Sequence, residues 1–385
     1  MRPKFSERLE QVTLKTVDFP LLVIVLALVF FGLIMVFSAS YYYSISKYDS
    51  PFYYLIRDGI WVLTGLILMF LSVLLDYHIY CNKFCALGSI LVCFLLLLVV
   101  LSPAGTEINN AQRWIELGPI TIMPGELAKL GLIFFISWFY GTKPSRIGQP
   151  ITGLLPVFAL MGLFAALIVK QPNLSTAITV CGIVVTMQLV AGIHWGYIAF
   201  LGALGGTALG ALLTFASGSY WVTRMTSFTD PFADAAGNGY QVVQSLLALG
   251  SGGFFGVGIG KSVQKSLYLP EPQNDFILAI IGEELGFIGI LLLLAAYCLL
   301  IWRGAKIAIE APDQFGTLLA SGIVLMIAIQ VILNVAVVTS SMPPTGINLP
   351  FISYGGNALM MFMFASGVLL NISRQINRQK GKESE

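Results

Sequence analysis

Ten apolar stretches, at residues 19–39, 55–75, 84–101, 126–140, 152–169, 174–193, 195–216, 276–301, 316–338 and 351–372, divide this 385-residue chain. A hydrocarbon core of about 30 Å takes about 20 apolar residues as a helix. Inside it, every backbone N–H and C=O needs a partner within the segment or the protein. The pattern predicts an all-α polytopic membrane protein with ten transmembrane helices in a single domain. Charged residues make up 10% of the sequence, against roughly 25% in a soluble domain. That excludes a soluble enzyme or a nucleic-acid-binding domain.

The first stretch follows Arg2, Lys4, Arg8 and Lys15 and ends in Ser38-Ala-Ser40, which imitates a cleavage site. Its apolar run is too long for a signal peptide, and nine more follow, so it reads as an uncleaved helix. Ten spans put both termini on one side. With the N-terminus inside, 13 of the 21 Lys and Arg residues are cytoplasmic and 8 external, which places both ends in the cytoplasm. The cytoplasmic tails are then residues 1–18 and 373–385, and a large external loop, 217–275, joins helices 7 and 8.

Arg113, Lys129, Lys170, Arg224, Lys261 and Lys265 fall at or near the external face, where nothing about topology favours them. Gathered cations point to an anionic ligand in the outer leaflet; pairing with Glu107, Glu116 and Asp230 is the plainer account. Glu126 and Lys129 stand three residues apart, on one face of the fourth helix. Ionisable residues at such depth face the bundle interior or a polar cavity, as a functional pair or as a structural ion pair. At Glu283-Glu284, one carboxylate is expected to bind loop backbone and the other to line a cavity.

Asp275 closes the polar loop and directly precedes the eighth apolar run. From spacing alone it is a candidate acid or base or, more simply, the N-cap of that helix. The five cysteines are odd in number and lie in helices or near the cytoplasmic side, so no external disulfide framework is expected. His78, Cys81 and Cys85 share a helical face but lack a fourth ligand, and ordinary packing explains them better than a metal. Gly256-Val-Gly-Ile-Gly260-Lys261-Ser262 imitates a phosphate loop but has Phe255 where the motif needs glycine. Gly202, Gly206 and Gly210 read as a close helix-packing face.

Taken together, Asn110-Ala-Gln-Arg113-Trp-Ile, Pro124-Gly-Glu126-Leu-Ala-Lys129, Lys170-Gln-Pro-Asn-Leu-Ser-Thr-Ala177, Asp230-Pro231-Phe, Gly239-Tyr-Gln-Val-Val-Gln-Ser245, Leu269-Pro-Glu-Pro-Gln-Asn-Asp275-Phe, Gly282-Glu-Glu-Leu-Gly286 and Leu349-Pro-Phe-Ile-Ser-Tyr-Gly-Gly356 resemble the motifs of the SEDS family of FtsW, RodA and SpoVE. The resemblance is colinear over nearly the whole chain. Ser262-Val-Gln-Lys265 before the Leu-Pro-Glu motif is more similar to the division and sporulation branch than to the elongation branch.

The resemblance implies a peptidoglycan glycosyltransferase of the bacterial cytoplasmic membrane that polymerises lipid II at the division septum. Its implied partners are a class B penicillin-binding protein, other division proteins and membrane lipid. The family's essential aspartate falls on Asp275, as general base, and its membrane Glu and Lys fall on Glu126 and Lys129. Arg113, Lys170, Arg224 and Lys265 match further substrate-binding positions. Arg113, Lys129 and Arg224 are expected to share one external cavity and to stabilise the pyrophosphate leaving group, alone or with a divalent cation, magnesium or manganese, as an optional cofactor. The sequence departs from the family at Asn173 and Ser175, where Asp and Gly are usual, and at Gln273-Asn274 before the aspartate. The rival readings are a lipid-linked precursor flippase or transporter, a division scaffold, and an elongation- or sporulation-type polymerase. No internal repeat of the transporter kind is visible.

Overall fold

The computed structural model describes residues 17–108, 111–118, 120–197, 199, 202–203, 228–237 and 239–383. Helices form where the apolar runs predict them: α1 (Phe19–Tyr48), α2 (Tyr53–Leu74), α3 (Lys83–Val100), α4 (Pro124–Gly141), α5 (Leu155–Lys170), α6 (Leu174–Val190), α8 (Ile277–Ile309), α9 (Gln314–Val338) and α10 (Gly356–Glu383). The seventh expected stretch, 195–216, lies largely outside the described residues. Seven of the described helices are long and apolar enough to cross a membrane.

Local chemistry sets the helix ends. Asp18 accepts from Leu21 N at 2.9 Å, Asn82 from Phe84 N at 3.0 Å and Asp313 from Gly316 N at 2.9 Å, each satisfying a donor that the helix cannot. Pro124 opens α4, where its missing N–H costs nothing.

Two expectations need correction, and the loop adds one element. The fold is not purely helical: β1 (Thr106–Ile108), β2 (Ala111–Leu117) and β3 (Ile120–Ile122) form a small antiparallel sheet in that order between α3 and α4. The long polar loop contains a further helix, α7 (Tyr240–Gly252). The last span starts at Gly356 and not at 351, because Phe351 has φ 67° and Leu349–Ser353 close into tight turns.

Helices α9 and α10 are buried on most sides, with α4 beside them. The outer helices turn apolar side chains such as Ile56, Ile60, Leu63, Ile67 and Phe70 outward, toward the lipid. Lipid supplies no hydrophobic drive between helices, so close packing of small residues does the work. Along the α2–α10 seam Gly356 lies against Trp61, Gly65 against Met363 and Gly367 against Ser72.

Helix α8 is broken at Gly286 (φ 70°, ψ −169°). A break inside the bundle frees backbone groups that lipid cannot satisfy, and the loop after α7 takes them. Val257 N and Gly258 N donate to the carbonyls of Glu283 and Glu284 at 2.9 and 3.0 Å, while Phe287 N donates to Gly253 O at 2.9 Å. A side chain at Gly256 would begin 2.2 Å from Glu284 O. The phosphate-loop look-alike is therefore a plug for a broken helix.

Candidate active site

Successive helices run up and down, so the segments 49–52, 101–108, 111–118, 120–123, 171–173, 253–276 and 339–355 gather at one end of the bundle, while Asp18 and Ser373 meet at the other. Cross-links at the first end confirm the gathering. Asn357 Nδ2 donates to Thr121 O at 2.6 Å, Tyr354 N to Gln273 O at 2.9 Å, and Ser175 Oγ to Gly346 O at 3.1 Å. Three of the sequence motifs thus meet around the loop that joins α9 to α10, and Arg113 brings a fourth to it.

Asp275 and Arg113 lie together on this loop. The Cβ that Gly346 lacks would stand 2.7 Å from Asp275 Oδ2 and 3.9 Å from Arg113 Nη1, so glycine is the residue that leaves both charged ends room. Arg113 projects from β2, and its guanidinium donates to the carbonyls of Gln171 and Pro172. The unexpected sheet is what carries it there. Asp275 is half-buried and is not the helix cap: Phe276 occupies the N-cap position, with no side-chain cap bond, and the helix begins at Ile277.

Glu126 and Lys129 form the expected pair, Nζ to Oε2 at 2.7 Å. Lys129 is 1% exposed; its ammonium also donates to Gln330 Oε1 at 2.9 Å. Gln330 in turn donates to Asn348 O at 3.3 Å. Arg113 and Lys129 therefore reach the same loop from different sides, Arg113 directly and Lys129 through Gln330. Arg224 lies outside the described residues and Lys129 meets the Arg113 loop only through Gln330, so one cavity shared by the three cations stays an expectation.

Lys170 is exposed beside the Gln171–Pro172 carbonyls that hold Arg113. Lys265 is elsewhere: buried, paired with Glu284 at 2.7 Å and donating to Ser38 Oγ at 3.0 Å. Glu283 accepts from Val263 N at 2.8 Å and Gln264 N at 3.3 Å, so one glutamate does bind loop backbone; Glu284 anchors Lys265. Asn173 caps α6, accepting from Thr176 N at 3.2 Å and Ser175 Oγ at 3.1 Å.

The sequence reading overlooked Gln330 and Asn334. Asn334 Nδ2 donates to Asp275 O at 2.9 Å and to Ile347 O at 2.6 Å. The available signal was two amides four residues apart inside an apolar span. Among the described residues, no group of three or more His, Cys, Asp or Glu could hold a metal. The His78 nitrogens face Asp76 and Asp313 and not the cysteines.

What the arrangement offers is a carboxylate that can take a proton and, against the same backbone position, a guanidinium suited to an anionic leaving group. A buried ion pair stands behind them.

Residues 19–378 match the family of cell cycle proteins grouped as FtsW, RodA and SpoVE. The chain is 42% identical over 357 residues to stage V sporulation protein E of Bacillus subtilis (strain 168), covering 93% of this chain and 97% of that one. It is 37% identical over 360 residues to a probable peptidoglycan glycosyltransferase FtsW of Geobacter sp. (strain M18), with the same coverage. Among solved structures, it resembles a chain of a peptidoglycan synthase complex in which polymerization and crosslinking are coordinated, with TM-score 0.75, 28% identity and 93% and 98% of the two chains covered. The rod shape determining protein RodA of Thermus thermophilus gives TM-score 0.68 at 28% identity, covering 93% and 97%.

Proposed function

The chain belongs to the FtsW, RodA and SpoVE family, and from that premise we propose that it is a peptidoglycan glycosyltransferase polymerising lipid II at the outer face of the bacterial cytoplasmic membrane. Asp275 is the general base of this reaction. The reading includes ten spans, both termini in the cytoplasm and the site end of the bundle outside. The observation that carries it is the placement of Asp275 Oδ2 and Arg113 Nη1 against one glycine, Gly346, at the meeting point of four motifs.

The 4-hydroxyl of one lipid-linked disaccharide gives its proton to Asp275 as its oxygen attacks C1 of the next. The C1–O bond to phosphate breaks, and its electron pair leaves with undecaprenyl pyrophosphate, inverting the α link to β. A positioned base contributes about 10²–10⁴-fold. Arg113 meets the charge that develops on the leaving group, joined by Arg224 and by Lys170 at the rim. Lys129 and Glu126 support the site from inside; for Lys129 to touch pyrophosphate, its bonds to Glu126 and Gln330 must open. Lys265 acts through the loop it anchors. A divalent cation, where one takes part, would enter with the pyrophosphate and supply positive charge to it, since no group of three or more His, Cys, Asp or Glu among the described residues could hold one.

Septal synthesis during division, with a class B penicillin-binding protein as partner, is the setting we infer. The partner finds support in the similar chain that sits in a peptidoglycan synthase complex. A sporulation role is the second reading, favoured by the 42% identity to stage V sporulation protein E. The test is glycan polymer made from lipid II by purified protein and partner in detergent. Polymer that disappears with Asp275→Asn supports the reading. No polymer from wild type, together with lipid II translocation in vesicles, overturns it in favour of a flippase.

A further inference from the structure

We propose that Asn334 and Gln330 are positioning residues of this site: two amides on α9 from which the Gly346–Asn348 loop and the backbone of Asp275 are hung. The inference rests on the polymerase reading above. Both amides are buried, at 0% and 2% exposure, in the central helix of a membrane bundle, where an unbonded amide is costly. Their spacing of four puts them on one face, a turn apart.

The two hydrogens of the Asn334 amide go to two different segments. One reaches Asp275 O and the other Ile347 O, at 2.9 and 2.6 Å. The first bond of α8 runs from Ala279 N to Phe276 O, so the Asp275 carbonyl stands before the helix and Asn334 supplies it with a donor. Ile347 adjoins Gly346, the residue whose missing side chain leaves room for the Asp275 carboxylate. One NH₂ group therefore sets the distance between the reacting carboxylate's backbone and the loop it lies against.

Gln330 repeats the device one turn along: it donates to Asn348 O at 3.3 Å and accepts from Lys129 at 2.9 Å. The buried Glu126–Lys129 pair thereby fixes the orientation of Gln330, which holds the next stretch of the same loop. The chain of bonds from Lys129 through Gln330 and Asn348 to Ile347, Asn334 and Asp275 gives a charge pair inside the membrane a mechanical route to a base at its surface.

Misplacing a reacting group by about 1 Å costs up to about a hundredfold. The experiment measures kcat and KM for lipid II in the intact complex with the partner. Asn334→Leu, similar in size and without donors, is expected to lower kcat by about ten- to a hundredfold, with KM changed less than about twofold and melting temperature retained. Asn334→Thr, with one O–H in place of two N–H, should recover part of kcat. Gln330→Met should lie between Asn334→Thr and wild type.

Wild-type kcat in folded Asn334→Leu overturns the proposal, as does a loss borne by KM with threonine no better than leucine. If Asn334→Leu does not fold, Gly346→Ala decides from the other side: its new Cβ must displace Asp275 Oδ2, and unchanged kcat there removes the premise that this spacing matters. Wild type run in parallel separates the two failures. Polymer from wild type with Asn334→Leu equally fast sinks only this inference, while no polymer from wild type sinks the polymerase reading itself.

Discussion

At the end of the bundle where Asp18 and Ser373 meet, side chains pair mostly at the surface, the half-buried Arg303–Asp18 pair apart. Arg303 pairs with Asp18, His78 bridges Asp76 at 2.7 Å and Asp313 at 3.1 Å, and Lys380 reaches Glu310 at 2.6 Å. At the opposite end the pairs are buried, Glu126–Lys129 and Glu284–Lys265, each at 2.7 Å, and both are tied into hydrogen bonds with further buried side chains. Exposed pairs are worth about 0–1 kcal/mol. Buried ones are costly to desolvate and costlier to break. The first end uses charge to tether helices, with many alternative solutions; the second uses it to fix geometry, with few.

The largest expected effect lies at the centre of the second end. Asp275→Asn keeps the size and one acceptor oxygen but turns the other into a donor NH₂ and cannot take a proton, so polymerisation should fall at least about a hundredfold while melting temperature and partner binding stay near wild type. Lipid II binding is measured alongside. Loss of binding together with activity would recast Asp275 as a substrate ligand. Glu271→Gln, at a carboxylate that accepts from Asn274 Nδ2 at 2.9 Å, should be much milder, and an equal loss there would blur the assignment of the base.

Next come the buried pairs. Removing one partner leaves a charge without compensation, at about 3–5 kcal/mol, so Glu126→Gln and Lys129→Met should each destabilise more than the double substitution does. Lys265→Met and Glu284→Gln should behave alike. Simple additivity in thermal unfolding of either cycle would mean that the pair is not coupled, and the contrast between the two ends of the bundle would lose its basis.

Asn173 is smaller and sharper. It caps α6 with its amide oxygen, a role aspartate fills about as well, so Asn173→Asp should be tolerated. Asn173→Leu removes a cap worth about 1 kcal/mol and should lower both stability and polymer yield. If aspartate proves as damaging as leucine, the site rejects negative charge at that position.

What was legible in the sequence follows the same division. The spans could be read because lipid imposes apolarity whatever the tertiary contacts, and Glu126–Lys129 because two charges in such a run stand out. The break at Gly286 could not, since a glycine in an apolar helix looks the same whether it packs or breaks; only the loop carbonyls and N–H groups that plug it show the difference. The sheet carrying Arg113 was hidden between two spans, its three strands being only 3, 7 and 3 residues long. For Asp275, spacing alone favoured a helix cap and the family resemblance favoured a site; the structure puts Phe276 at the cap. Lys265 looked like the other external cations, yet its partners are a glutamate in the helix that follows its loop, Glu284, and Ser38 in the first helix, far away in the chain. Gln330 and Asn334 were passed over because an amide in a span carries no charge to draw the eye.

The smallest effect belongs to the surface end and tests the comparison from that side. Burial raises the Asp76 carboxyl, but the backbone N–H of His78, the amide of Gln375 and the imidazole of His78 outweigh it and hold the group below the usual carboxylate range. A carboxyl with a lowered folded pKa stabilises the protein fully above its unfolded value, about 3.9, and that stabilisation is lost as pH falls through the folded value. Asp76→Asn keeps a side-chain acceptor for His78 N and removes only the charge. It should therefore destabilise by less than about 1 kcal/mol at neutral pH, since the site is solvent-screened. The gap from wild type should narrow below about pH 4 and shrink with added salt. Melting temperatures of the two proteins across pH and salt measure this. A gap that persists in acid would show that the charge is not what matters at Asp76. A gap as large as that for Glu126→Gln would mean that the surface end fixes geometry as tightly as the site does.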